Sequence, residues 1–576
     1  KKKDVNKLID IVLSDLEKNK FINDQFYSES KAKSMIQRGN SINKIRNYLI
    51  GKGINDEFIK DTVDKIREEL ADVFAYAFML AEKYNFDGKL ISRELDGSIK
   101  STTYGESIKR SKKLANALSK QGIVPGDRVA TIAWNNSRHF EAYFGVSGMG
   151  AILHTLNPRY SPAQLVYILN HAEDRILIID PTFIPLVEGV QDQLNTIECI
   201  IIAAAKDAIP ENNLNNAFSY EDLIHGESDQ YDWPELTENT AASLCYTSGT
   251  TGNPKGVLYS HRSTILHATS IAGALGFDSS SAVLPVVPMF HVNAWGVPYA
   301  ALINGFTLVL PGHALDGESL YELVQKESVD SLMGVPTVWL GLLQYLETKS
   351  LKLDSVHQVL VGGSAAPYAM IKAFDEQHDA FLTHGWGMTE MSPLGTINAP
   401  TKKTLSLPNE ERYQLQTKQG YPLFGVEIKT VNDDNIELPR DGESSGALKV
   451  KGPWIMHTYY KADGSAVDEE GWFDTGDVAT IHPDGCMQIV DRAKDVIKTG
   501  GEWISSIDLE NAALTHENIL EACVVGVPHP KWDERPLLFL ITKDGNQIDK
   551  QEINDFLLEK VVKWWLPDDI IFVKEL

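Results

Sequence analysis

Lys255 closes a run, Tyr246-Thr-Ser-Gly-Thr-Thr-Gly-Asn-Pro-Lys-Gly-Val257, with two glycines and four Ser/Thr side chains ahead of one positive charge. Glycine lets a backbone fold around a bulky anion, and exposed N–H groups and hydroxyls donate to its oxygens. The terminal lysine adds a mobile charge suited to polyphosphate. The run is not a Walker loop, because Gly256 follows Lys255 where that motif needs Ser or Thr. Thr247, Ser248, Gly249, Thr250, Thr251, Gly252 and Lys255 are therefore candidate phosphate ligands. A plain Ser/Thr/Gly surface loop is the bland alternative, and this order of residues argues against it.

A second glycine-rich run, Gly362-Gly-Ser-Ala-Ala-Pro367, invites comparison with the serine nucleophile elbow. That turn needs glycine two places after the serine, and Ala366 stands there, so hydrolase chemistry is set aside. Three further segments follow: Gly385-Trp-Gly-Met-Thr-Glu390, Trp472-Phe-Asp-Thr-Gly-Asp477 and Asp491-Arg-Ala-Lys-Asp495.

Together, and in this order, these segments resemble the motifs of the AMP-forming acyl-adenylate superfamily, which includes acyl-CoA synthetases, luciferases and peptide-synthetase adenylation domains. The resemblance runs from about residue 70 to the C-terminus. It implies that Trp386, between Gly385 and Gly387, stacks near adenine, and that Gly363, Ser364 and Ala365 give backbone to the same pocket. It places Thr389 on the α-phosphate, Glu390 with Thr250 on Mg²⁺, Asp477 on the ribose hydroxyls and Arg492 beside them. Lys494 is implied as the pivot of a small mobile domain. Beyond it, Gly500, Gly501, Glu502 and Trp503 are implied to line the coenzyme A channel, with Lys498 facing the active site in the thioester-forming state.

The implied chemistry suits these groups. A carboxylate cannot acylate a thiol while its leaving group is oxide. Attack on the α-phosphate of ATP makes a mixed anhydride with AMP and releases pyrophosphate, and coenzyme A then takes the acyl group. Two anions must meet in the first step, so neutralisation and in-line positioning outweigh proton transfer. No general base is assigned to that step. A luciferase-like oxygenase would need a bicyclic luciferin pocket that no segment suggests, whereas a non-catalytic nucleotide-binding protein stays open as a third reading.

Pro288-Met-Phe-His-Val-Asn-Ala-Trp-Gly-Val-Pro-Tyr299 resembles the fatty acyl-CoA synthetase subgroup. There, Trp295 is implied as a gate to the acyl tunnel, His291 as a neighbour of the carboxylate, and Asn293 and Val335 as pocket wall. Apolar pockets discriminate poorly by length, because each methylene is worth only about 1–3 kcal/mol. A medium- or long-chain fatty acid is the expected substrate, and 3-methylthiopropionate or another short acid is the alternative.

Elements to hold these groups are legible in outline. Helix-like stretches alternate with β-branched runs at Arg128–Ala133, Ile176–Ile179, Cys199–Ala203, Leu308–Leu310 and Gln358–Val361. That alternation predicts α/β layers with largely parallel strands. After about Val431 crowded strands predict a small β-rich unit, and from Arg492 a mixed α+β domain with a helix over Asn554–Val562. The expected division is a helical extension at 1–69, a large adenylation domain at 70–491 and a small C-terminal domain at 492–576.

Composition supports a multi-domain globular chain: 576 residues, 43% hydrophobic, 23% charged. A net charge of −25 argues against non-specific nucleic-acid binding. Residues 1–69 stand apart, with 15 Lys+Arg against 12 Asp+Glu, which leaves −28 for the remainder. Four scattered cysteines, no apolar run of membrane-spanning length and no signal peptide pattern predict a cytoplasmic protein with reduced thiols. The N-terminal segments at Leu16–Phe26 and Ile45–Ile54 resemble RecX-type recombination regulators, which implies contact with a recombinase through residues 1–69. The sequence does not give the oligomeric state; dimers are frequent in the synthetase subgroup, so the resemblance is compatible with a homodimer. The family's last motif, Pro-x-x-x-x-Gly-Lys, is absent before Leu576, and the expectation is that the chain as given adenylates poorly yet accepts a supplied acyl-adenylate.

Overall fold

The computed structural model describes residues 49–50, 54, 88–247, 253–492, 497–499, 502–530, 532–543 and 548–574. The helices and the RecX-like reading expected for residues 1–69 lie outside the described residues, three isolated positions aside.

Two large sheets carry the site. In the first, seven described strands run in the order Ala217–Ser219, Cys199–Ile202, Asp174–Ile179, Arg128–Ile132, Ile152–Thr155, Ala241–Tyr246, Gly256–Ser260. All pair in parallel except the last, which turns back antiparallel on Ala241–Tyr246. Parallel strands are covered on both faces, which explains why Ile176–Ile179 and Cys199–Ile202 are buried without alternation.

Nine described strands form the second sheet, where Gln358–Val361 and Phe381–Gly387 lie side by side in parallel. Leu394–Ile397 then returns antiparallel on the end of Phe381–Gly387 with a register shift between Trp386 and Gly387. That irregularity ends the ladder and turns the chain towards Thr389 and Glu390. The helix Tyr104–Lys120 begins at Thr103, whose side chain accepts from the Glu106 amide. Its buried stripe of Ile108, Leu114, Ala115 and Leu118 joins the core shared with the helix Ser137–Gly148.

A smaller antiparallel sheet follows, ordered Glu427–Val431, Gly446–Lys451, Phe473–Ile481, Met487–Arg492. Its last two strands pair Asp477 with Arg492, so two motifs distant in sequence share one rung. The smaller C-terminal part holds a five-stranded sheet and the helices Ser506–Leu514 and Lys550–Leu558 around a core of its own. The second helix starts and stops four residues earlier than the sequence pattern predicts. Asp549 caps it by accepting from the Gln551 amide, and Ile553 and Leu557 fill the core beneath it. The strand and β-rich expectations are met, and the whole is α/β with a smaller α+β part.

Candidate functional site

The strands Ala241–Tyr246 and Gly256–Ser260 form a hairpin whose end pair is Tyr246 with Gly256. The Thr247 amide donates to the Lys255 carbonyl at 2.9 Å and closes the base of the loop expected to hold phosphate. Ser248, Gly249, Thr250, Thr251 and Gly252, at its tip, lie outside the described residues. Lys255 is exposed, and its Nζ stands 4.9 Å from the centre of the Tyr459 ring.

Opposite the hairpin, Thr389 and Glu390 follow the strand end at Gly387 and are both nearly buried. An added Cβ at Gly387 would run into the Pro393 carbonyl, so only glycine allows this close return of the chain. The Tyr259 hydroxyl donates to the Thr389 carbonyl at 2.6 Å, and the Tyr459 hydroxyl donates to Glu390 Oε1 at 2.8 Å. Burial beside this carboxylate pushes the Tyr459 phenol well above its ordinary pKa, so it stays a donor.

The segment Trp454–Tyr460 crosses between the two sheets as a strap. Its Met456 amide donates to the Glu390 carbonyl at 2.9 Å, and its Tyr460 amide donates to the Gly256 carbonyl at 2.7 Å. These two backbone bonds of the strap tie the hairpin to the Thr-Glu turn, beside the side-chain contacts of Tyr459.

On the third side, Trp386 Nε1 donates to Asp477 Oδ2 at 2.9 Å. Arg492 Nε stands 2.9 Å from Asp477 Oδ1, and its side chain is 53% exposed while that of Asp477 is 3%. Burial raises the pKa of Asp477, against which the Arg492 charge and the Trp386 donor act.

Gly362 and Gly363 form an open backbone edge between Trp295 and Val335. A Cβ on Gly362 would meet Trp295 Cη2 at 3.0 Å, and one on Gly363, with φ +83°, would meet Val335 Cγ1 at 3.4 Å. Ser364 is exposed on the same edge, followed by half-buried Ala365. Gly385 adjoins it, since its carbonyl oxygen lies 3.2 Å from that same Gly362 Cβ.

Val292, Asn293, Ala294 and Trp295 all have positive φ and make one left-handed turn. Such backbone costs about 1–2 kcal/mol per residue with a side chain. Packing must hold it: Asn293 Nδ2 donates to Ser243 Oγ at 2.8 Å, and Gly296 sits where a Cβ would lie 2.7 Å from His267 Nδ1. Asn293 thus braces the turn against Ser243, while His291 is exposed at its start.

A fit for Mg²⁺ rests on Glu390. Among the described residues no ion pair engages this nearly buried carboxylate, and no group of three ligating side chains occurs. Mg²⁺ in phosphate-binding sites takes one or two carboxylates and completes its shell with phosphate oxygens and water. Glu390 fits that role, with Thr250 as the expected hydroxyl neighbour.

A family model described as AMP-binding enzyme matches residues 83–460, and its companion, AMP-binding enzyme C-terminal domain, matches 508–576. The chain belongs to the AMP-binding enzyme family. A 3-methylmercaptopropionyl-CoA ligase from Ruegeria lacuscaerulensis is 47% identical over 498 residues, 86% of this chain and 92% of that protein. A medium-chain-fatty-acid–CoA ligase from Ectopseudomonas oleovorans is 46% identical over 498 residues, with 86% and 91% covered. The fold of this AMP-binding enzyme also matches the crystal structure of the anthranilate CoA ligase AuaEII in complex with anthranoyl-AMP, with TM-score 0.77 at 23% identity, covering 88% of this chain and 93% of that one. Among the described residues no helix is long and apolar enough to cross a membrane.

Of the residues expected at the site, Lys255 and Glu390 meet on Tyr459, Trp386 and Arg492 meet on Asp477, Thr389 adjoins Glu390 in the chain, and Gly385 and Gly363 both adjoin the Gly362 edge. Lys494, Gly500 and Gly501 lie outside the described residues, and Lys498, Glu502 and Trp503 are described only as backbone in two paired strands. Tyr459, Tyr259 and the strap escaped sequence reasoning. The one signal in the sequence was the Tyr459-Tyr460 doublet beyond the apolar run Trp454-Ile-Met456 that follows Gly452-Pro453.

Proposed function

We propose that this AMP-binding enzyme is an AMP-forming acid–coenzyme A ligase. The reading is supported by two linked clusters drawn from three sheets: Lys255 and Glu390 meet on Tyr459, and Trp386 and Arg492 meet on Asp477. Lys255 and the donors of Thr247–Gly252 hold the polyphosphate of ATP. Asp477 and Arg492 hold the ribose, Trp386 and the Gly363–Ala365 backbone flank adenine, and Thr389 donates to the α-phosphate. Glu390 and Thr250 would hold Mg²⁺, which would supply neutralisation of phosphate charge. The substrate carboxylate forms a bond to the α-phosphorus as the bond to pyrophosphate breaks. The coenzyme A sulfur then bonds to the acyl carbon and AMP leaves with the anhydride oxygen.

The large domain of this reading spans residues 70–491 and the small one 492–576, pivoting at Lys494 between half-reactions. In the second state Gly500, Gly501, Glu502 and Trp503 line the pantetheine channel and Lys498 faces the active site. The acid lies along Trp295, Val335 and the Gly362–Gly363 edge, with His291 and Asn293 in the same turn, and it is a medium- or long-chain fatty acid. A short thioether acid, 3-methylthiopropionate, is the second reading. It is favoured by the Trp295 indole, which stands 3.0 Å from the Cβ position of Gly362 and narrows that edge, and by the name of the Ruegeria relative.

The test is thioester formation across acids from acetate to palmitate plus 3-methylthiopropionate, each supplied with ATP and as pre-formed adenylate. Acyl-CoA from the adenylate arm supports the ligase. Binding of ATP with no product in either arm would leave a nucleotide-binding protein instead.

A further inference from the structure

Tyr459 touches both halves of the phosphate site and belongs to neither. Its hydroxyl donates to Glu390 Oε1 at 2.8 Å, and its ring lies beneath Lys255 Nζ at 4.9 Å. Adjacent backbone bonds fix its position from both ends: Met456 N to the Glu390 carbonyl at 2.9 Å and Tyr460 N to the Gly256 carbonyl at 2.7 Å. Lys461, next in the chain, pairs with Glu173 Oε1 at 2.7 Å and anchors the strap to the seven-stranded sheet. A carboxylate with one oxygen held by a neutral donor presents its other oxygen in a defined direction. An ammonium above an aromatic face is likewise restrained, without an opposing charge that would compete with phosphate.

We infer that Tyr459 is a positioning residue that aims Glu390 at the metal of the metal–ATP complex through its hydroxyl and holds Lys255 over the phosphates through its ring. The inference rests on the reading of this cleft as an ATP site. It separates two functions of one side chain: the hydroxyl acts on metal binding, and the ring acts on nucleotide binding with or without metal. Phenylalanine removes only the first. Leucine removes both.

The experiment uses the full chain, ATP, and Mn²⁺ as a spectroscopic substitute for Mg²⁺. Free Mn²⁺ is read by electron paramagnetic resonance, and metal-free ATP affinity by calorimetry in EDTA. For Tyr459→Phe the expected result is Mn²⁺ binding to the ATP complex weakened about 10-fold or more, with metal-free ATP affinity within about two-fold of the unaltered chain. Tyr459→Leu is expected to weaken metal-free ATP binding as well, by about 2–5-fold. In a Glu390→Gln background, Tyr459→Phe is expected to change Mn²⁺ binding little further, because its partner is already gone. Phenylalanine keeps the ring beneath Lys255, so this arm alters the hydroxyl contact alone, and Tyr459→Leu is the one variant of the set that removes the ring. Unchanged Mn²⁺ affinity in Tyr459→Phe, an equal loss of metal-free ATP binding, or full additivity with Glu390→Gln would each overturn the inference. Absence of ATP binding by the unaltered chain would overturn the nucleotide-site reading beneath it.

Discussion

The Trp386 indole donates to Asp477 Oδ2 at 2.9 Å, so an aromatic wall from the nine-stranded sheet and a carboxylate from the four-stranded sheet form one unit. Arg492 reaches the other oxygen of the same carboxylate from the neighbouring strand. Three motifs scattered over more than a hundred residues are thereby fixed relative to one another before any nucleotide arrives. Preorganisation of this kind reduces the ordering cost of binding.

That geometry ranks two substitutions. Asp477→Ala removes a buried acceptor, strands the Trp386 donor and removes the proposed partner of the ribose. A charge-assisted hydrogen bond contributes about 1.5–3 kcal/mol, so ATP affinity is expected to fall about 10-fold or more. Arg492→Gln removes a side chain that is 53% exposed and is expected to cost only about 2–5-fold. Calorimetric titration with ATP measures both. Equal losses would contradict the central place given to Asp477.

Gly387→Ala tests the tight return at the end of its strand. The new methyl would be forced into the Pro393 carbonyl, which belongs to backbone and cannot swing aside. Overpacking costs about 1–3 kcal/mol, and a clash with fixed backbone lies at the upper end. The expected outcome is a lower urea midpoint together with loss of metal-dependent ATP binding, because Thr389 and Glu390 follow directly. A variant with unaltered midpoint and binding would show that the turn tolerates displacement.

Trp295→Ala addresses the acid. Removing the indole that meets Gly362 opens space for several methylenes, each worth about 1–3 kcal/mol. Thioester formation from dodecanoyl-adenylate relative to 3-methylthiopropionyl-adenylate is expected to rise at least about 10-fold. An unchanged ratio would place the acyl chain elsewhere.

His267 supplies a pH signature. It is fully buried, accepts from the Leu394 amide through Nε2 at 3.1 Å, and burial pushes its pKa down to about 3 from 6.5. A depressed histidine is neutral in the native state and protonates first when unfolded. Its contribution is therefore complete above pH 6.5 and declines as pH falls towards 3. His267→Gln lacks that dependence, so between pH 7 and pH 4.5 its stability relative to the unaltered chain is expected to improve by about 2–3 kcal/mol. Urea unfolding at the two pH values measures the difference, and a constant gap would contradict the burial assigned to His267.

The parts of the site that can be read from sequence are those whose chemistry lies within one segment. The Tyr246–Val257 run announces a phosphate hairpin because glycine, hydroxyl and lysine must follow closely to enclose an anion. Alternating β-branched runs announce parallel strands for the same local reason. Tyr459 is different: its importance arises from Glu390 and Lys255, which come from two other sheets, and nothing in the order Met-His-Thr-Tyr-Tyr-Lys specifies those partners. The left-handed turn at Val292–Trp295 is equally hidden. Valine, alanine and tryptophan carry no preference for positive φ, and tertiary packing on Ser243, His267 and Gly362 imposes it.

The route of the carboxylate oxygens tests the central claim most directly. A fatty acid labelled with ¹⁸O in both carboxylate positions is incubated with ATP, coenzyme A, Mg²⁺ and the chain, and the products are weighed by mass spectrometry. Attack on the α-phosphorus predicts one labelled oxygen in AMP and one in the thioester carbonyl, at whatever rate product accumulates. Unlabelled AMP, or label recovered in inorganic phosphate, would contradict an acyl-adenylate intermediate and with it the assignment of this cleft.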